Sequence, residues 1–235
     1  MTGFLDTPGR DGIDFWLAVT ASTLSRWRQD GTFATLQPPQ GDAFLRVQVV
    51  GDPPARAHPD LHVDDLPAAS HRAVALGAEL VETAEGLTVL RSPAGILFCL
   101  VAWTGESVRP GALEWPGGQR SLVDQLCLDI PDSRHAREVE FWGSLTGWQR
   151  RPSDLPEFSY LVRPDGLPLR LLLQRTGGET AGVHVDLACD DVDAEVARHV
   201  ALGARVVRRV PGDWTTLLDP AGREYCVTGR SPTTT

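Results

Sequence analysis

Neither lysine nor asparagine occurs anywhere in the 235 residues. All 22 basic residues are therefore arginines, and chemistry that needs a lysine amine, as a Schiff base or as a general base, is excluded. Both missing residues have A-rich codons, so the gap fits a GC-rich gene. Cysteine is scarce. Cys99, Cys127, Cys189 and Cys226 each sit in an apolar, strand-like run without C-x-x-C spacing, which predicts buried free thiols and no metal held through sulfur. No apolar run approaches the ~20 residues of a membrane span, and the opening MTGFLDTPGRDG has neither the basic region nor the apolar stretch of a signal peptide. The expectation is a cytoplasmic protein. No Ser nucleophile elbow and no phosphate-cradling glycine loop appears, so hydrolase chemistry and a nucleotide cofactor have no support. A net charge of −9 without a basic cluster argues against nucleic acid and anionic membrane as partners.

What is present is a repeat. HPDLHVDDL (58–66) and HVDLACDDV (184–192) open on histidines 126 residues apart, and VALGA recurs at 74–78 and 200–204. LTVLRSPAGILFCLV then matches WTTLLDPAGREYCVT at an offset of 127, through a shared Pro-Ala-Gly turn to a shared cysteine. With 42 % hydrophobic residues, half the chain suffices for a core, so two similar domains are expected.

Each copy reads as β-α-β-β-β. From His184 to Cys189, Val185, Leu187 and Cys189 face one way and His184, Asp186 and Ala188 the other, as in a half-buried strand. Asp191 can cap a helix carrying Val192, Val196 and Val200, which Gly203 stops, and three strands follow around an Asp-Pro-Ala-Gly turn. The segment before it repeats the order: strand Leu122 to Ile130, helix Ser133 to Leu145, strands Ser159 to Arg163 and Leu169 to Gln174. At the N-terminus the equivalent strand is read at Asp14 to Thr20 and only a short helix at Leu24 to Gln29, so the first module is degenerate. The fold class is α+β: four βαβββ modules in two domains, 1–103 and 120–230, with a linker at 104–119 and a flexible tail at 231–235.

Paired modules opened by His-x-Asp-Leu and closed by Asp-Pro-x-Gly-x-Glu-Tyr resemble the vicinal oxygen chelate superfamily, which holds glyoxalase I, extradiol dioxygenases and bleomycin-binding proteins. The resemblance implies cupped sheets in which the first and last strands of each module hold a divalent metal. Carried over residue by residue, it implies a site of Gln125, Gln174, His184 and Glu224 in the C-terminal domain. A histidine nitrogen, a carboxylate and two amide oxygens suit Zn²⁺, Ni²⁺, Mn²⁺ or Fe²⁺. The N-terminal equivalents, Phe15, Gln48, His58 and Leu97, imply a domain without metal, where His58, with His62 on the same face, is structural or faces a ligand.

Two function classes follow. In the first, metal at the C-terminal site acts as a Lewis acid in a lyase, isomerase or dioxygenase reaction other than that of glyoxalase I, with Glu224 or Asp186 carrying a proton and Arg170, Trp214 and Cys127 contacting the substrate. In the second, the cup is a metal-free binding or drug-sequestering resistance protein. Either takes a small molecule as partner, in a monomer or homodimer. Trp16 and Trp214 are the tryptophans expected on cup strands. His71, His135 and His199 are expected to face solvent, and Asp64-Asp65 and Asp190-Asp191 to cap helices.

Overall fold

A computed structural model of the chain describes residues 1–232; of the tail expected at 231–235, residues 233–235 lie outside the described part. The first half runs β1 (Thr2–Thr7), α1 (Ile13–Val19), β2 (Thr23–Leu24), β3 (Phe33–Gln37), β4 (Leu45–Val49), then β5 (Arg56–Val63), α2 (Leu66–Ala75), β6 (Glu79–Ala84), β7 (Leu87–Arg91) and β8 (Leu97–Ala102). A short β9 (Leu113–Glu114) lies in the connection. The second half runs β10 (Arg120–Pro131), α3 (Asp132–Thr146), β11 (Arg150–Pro152), β12 (Phe158–Leu161), β13 (Arg170–Thr176), then β14 (Gly182–Cys189), α4 (Val192–Ala201), β15 (Arg205–Val210), β16 (Trp214–Leu218) and β17 (Glu224–Thr228).

Each half forms its own sheet, in the orders β2-β3-β4-β1-β5-β8-β7-β6 and β11-β12-β13-β10-β14-β17-β16-β15, with β9 paired to β10. The most buried strands, β1 and β10, sit near the middle, each parallel to one neighbour and antiparallel to the other. The two registers coincide. Phe4 lies opposite His58 as Cys127 lies opposite His184, and Asp60 beside Cys99 as Asp186 lies beside Cys226. The expected caps form: Asp65 accepts from the Ala68 amide at 2.9 Å and Asp191 from the Ala194 amide at 3.0 Å, each worth about 1 kcal/mol.

The first module departs from the sequence reading. Asp14 to Thr20 is not a strand, and Leu24 to Gln29 is not a helix. Gly12, at φ +82°, starts α1, whose buried Ile13, Phe15, Trp16 and Val19 recur at three- and four-residue spacing. Over so short a stretch, Phe15, Leu17 and Val19 also satisfy a period of two, which is why the pattern misleads. The true first strand is β1. The module keeps the β-α-β-β-β order but shrinks its helix to seven residues and β2 to two.

The helices join the halves. Phe15 and Trp16 of α1 pack on Tyr225, and Trp16 donates to Asp219 at 2.8 Å. Reciprocally, Phe141 and Trp142 of α3 pack on Phe98, and Glu138 accepts from the Ala94 amide at 2.7 Å. Each half thus docks its first helix on the Pro-Ala-Gly turn of the other. Apolar residues of both sheets belong to one cluster. Against expectation, His199 is buried, 3.0 Å from the Tyr225 hydroxyl and 3.1 Å from Glu195.

Candidate functional site

One face of the second sheet gathers polar side chains at its centre. Strand alternation aims Gln125, Cys127 and Asp129 from β10, Arg170 and Gln174 from β13, His184 and Asp186 from β14 and Cys226 from β17 to this side. His184 lies between two carboxylates, with Nδ1 2.7 Å from Asp129 Oδ2 and Nε2 3.2 Å from Asp186 Oδ1. The Cys226 sulfur lies 3.7 Å from the same Nε2. Gln125 bridges outward: its amide nitrogen donates to Asp186 and its oxygen accepts from Arg170 Nε at 2.5 Å. Cys127 donates to the Gln174 oxygen at 3.4 Å. A cavity of about 280 Å³ opens above these residues, walled by Phe158 and Trp214, which meet edge to face at 5.6 Å.

The electrostatics follow from the carboxylates. Burial by itself lowers the His184 pKa, yet the neighbouring Cys127, Asp129 and Asp186 raise it well above 6.5, which favours the protonated ring. Burial pushes the Cys226 thiol upward, and His184 opposes this. Burial also lowers the Arg170 guanidinium to about 10, with the Arg230 charge acting in the same direction.

The first sheet carries the same set. His58 Nδ1 is 2.8 Å from Asp6 and its Nε2 3.4 Å from Asp60, with Cys99 beside them. This copy is closed. Where the second sheet has Cys127, Phe4 stacks on the imidazole at 4.8 Å with its ring tilted by 8°, and Phe33 and Arg46 pack over Phe4.

Several expected site residues lie elsewhere. Glu224 is solvent-exposed at the first residue of β17 and does not line the cavity; two residues on, on the same face of the strand, Cys226 lies against His184. Phe15 and Trp16 belong to α1, away from any cup; the residue of β1 that corresponds to Gln125 is Thr2, by the pairing with Asp60. Leu97 matches Glu224 at the start of the strand, and Cys99 matches Cys226. His62 does not join His58 but contacts Glu106 at 3.2 Å and Thr2 at 3.3 Å. Gln125, Gln174, Arg170, Trp214, Cys127, Asp186 and His184 all line the cup. The sequence reading overlooked Asp129, Arg230 and Cys226. The cysteine left a signal: it ends both copies of the repeat at the same offset.

The cluster suits a divalent cation. His184, Asp186 and Cys226 each offer one donor atom within 4.8 Å of the others, and buried Asp186 Oδ1, although 3.2 Å from His184 Nε2, makes no well-formed hydrogen bond. A nitrogen, a carboxylate oxygen and a sulfur form a set that Zn²⁺ accepts, and Asp129 behind Nδ1 is the outer carboxylate that metal-binding histidines commonly have.

Comparisons with known proteins agree with the duplicated fold. The family model for the glyoxalase-like domain matches residues 4–101 and again 125–228. No curated protein sequence matches. Among solved structures, the Mn(II)-bound glyoxalase from Novosphingobium aromaticivorans superposes with a TM-score of 0.63 at 16 % identity, covering 96 % of this chain and 80 % of that one. Homoprotocatechuate 2,3-dioxygenase from Arthrobacter globiformis gives 0.64 at 15 % identity, over 97 % and 78 %. A variant of 4-hydroxymandelate synthase from Streptomyces coelicolor gives 0.59 at 14 % identity, over 99 % and 93 %.

Proposed function

The chain belongs to the glyoxalase-like domain family, and on that premise we propose that its C-terminal cup binds a small organic molecule beside a divalent metal held by His184, Asp186 and Cys226. One observation carries this reading. Among the described residues the His-Asp-Cys group is written in both halves, and the C-terminal copy opens onto a cavity with aromatic walls whereas Phe4 stacks over the histidine of the N-terminal one. The glyoxalase relative is Mn(II)-bound, and a cation at this position supplies a Lewis acid for oxygens of the ligand. Asp129 fixes the His184 ring, Gln125 holds Asp186 in place, and Phe158 and Trp214 exclude water from the ligand's body. Asp186 serves as a ligand here, and Glu224, facing solvent, takes no part.

Loading requires the His184 Nε2 proton and the Cys226 thiol proton to leave, so affinity should fall as pH falls. Elemental analysis of protein purified without an affinity tag is expected to find one divalent metal per chain, lost in His184→Ala and Cys226→Ala and retained in Glu224→Ala. No metal after incubation with Zn²⁺, Ni²⁺, Mn²⁺ and Fe²⁺ would leave the second reading, a metal-free binding protein. That reading has its own support, because His184 and Gln125 already have polar partners on both sides.

A further inference from the structure

The inner end of the C-terminal cup holds cations that its own carboxylates do not match. Arg170 and Arg230 form a wall shared by the cup and a neighbouring cavity of about 370 Å³, which Asp124, Tyr160 and Arg163 also line. Arg230 is committed to Asp124 through two hydrogen bonds of 2.7 Å. Arg170 is not. Its Nε donates to a neutral amide and its guanidinium lies 4.9 Å over the Tyr160 ring. Arg163 donates its Nε to the Leu167 carbonyl at 2.8 Å. Among the described residues neither of these two forms an ion pair. The other carboxylates nearby are spoken for or outside: Asp186 faces His184, while Asp154, Asp165 and Asp213 are exposed at the rim and on surface turns. Withdrawing a guanidinium from water without an opposing charge is costly, and an arriving anion removes that cost.

The first sheet provides an internal control. By the register of the two sheets, Phe44 stands where Arg170 does, Pro38 where Arg163 does and Trp103 where Arg230 does. The arginines occur only in the copy that is open.

We propose that the ligand of the C-terminal cup is an organic anion, with a flat apolar body against Phe158 and Trp214 and a carboxylate or phosphate that accepts from the terminal N–H groups of Arg170 and Arg163. Planar guanidinium forks suit the paired oxygens of either group. The inference rests on the cup being the ligand site, but not on the metal.

Calorimetric titration of the intact protein with benzoate, phenyl phosphate and neutral benzamide, before and after metal removal by a chelator, tests it. At least one of the two anions should bind, with benzamide weaker by about tenfold or more, and Arg170→Gln and Arg163→Gln should each weaken the anion by a similar factor. Trp214→Ala should weaken it as well. Failure of both anions to bind, equal binding of benzamide, or unchanged affinity in the two arginine variants overturns the proposal. Should Arg170→Gln fail to fold, the less enclosed Arg163→Gln decides. Anion binding that the arginine variants abolish but Trp214→Ala leaves intact overturns the assignment to the cup. Binding that survives metal removal separates this inference from the metal reading.

Discussion

Asp219→Ala is expected to lower the unfolding free energy by about 3–5 kcal/mol, the usual cost of stranding one member of a buried ion pair. Its partner Arg223 is only 3 % exposed and donates to Asp219 at 2.6 Å. The same carboxylate accepts from the Trp16 indole at 2.8 Å and from the Ala221 and Arg223 amides at 2.9 Å each. The guanidinium also donates to the carbonyls of Asp6 and Arg56, at 2.7 and 3.0 Å. One side chain thus ties the turn of the second half to the first helix and first strand of the other. Its removal leaves the guanidinium without its counter-charge, and an indole N–H and two amides without an acceptor, in a place water reaches poorly. Thermal unfolding should show a midpoint lower by roughly 10 °C for a chain of this size. A loss below about 1 kcal/mol, the scale of an exposed pair, would show that the turn can relax and solvate the arginine.

His58→Leu should be comparably damaging, at about 3–5 kcal/mol near pH 6.5, although leucine fills much of the imidazole's space. His58 is 5 % exposed, and the substitution would remove the imidazole between two buried carboxylates, leaving Asp6 only the half-exposed Arg56 at 3.7 Å. Burial by itself lowers the His58 pKa, but hydrogen bonds to Asp6 and Asp60 raise it well above 6.5. A folded pKa above the unfolded one means that the folded state holds the proton more tightly. The stabilisation is therefore full below pH 6.5 and is lost as pH rises toward the folded value. Denaturant unfolding at several pH values should show the gap between wild type and His58→Leu shrinking from pH 6.5 upward. A gap constant with pH would mean that His58 is neutral in the fold and that its role is packing against Phe4.

Local patterns in the chain already contained much of this architecture. The duplicated His-x-Asp-Leu phrase, the VALGA helix end and the Pro-Ala-Gly turn mark two modules, and the alternation of 122–130 with the helical spacing of 133–145 marks a third, because each signal depends on neighbours a few residues away. The N-terminal module escaped for the same reason. Seven residues of helix satisfy both periods, and nothing in TGFLDT advertises a central strand until its partners β4 and β5 are in place. His184 and Asp186 were legible from the alternation of one strand. Cys226 was hidden two residues beyond a more attractive carboxylate, Glu224, on the same face of β17, since the register that sets Cys226 beside Asp186 comes from strand pairing and not from composition.

The sequence by itself determined the duplication, the α+β module order, the arginine-only cation set and the free thiols, all consequences of residue type and short-range spacing. Tertiary structure alone decided which copy is open. That outcome turns on one position of the repeat, Phe4 against Cys127, whose effect exists only once antiparallel pairing sets it opposite a histidine. It also decided that Arg163, Arg170 and Arg230, scattered over 68 positions of chain, share one wall, because adjacency across a sheet follows strand register and no local pattern encodes it.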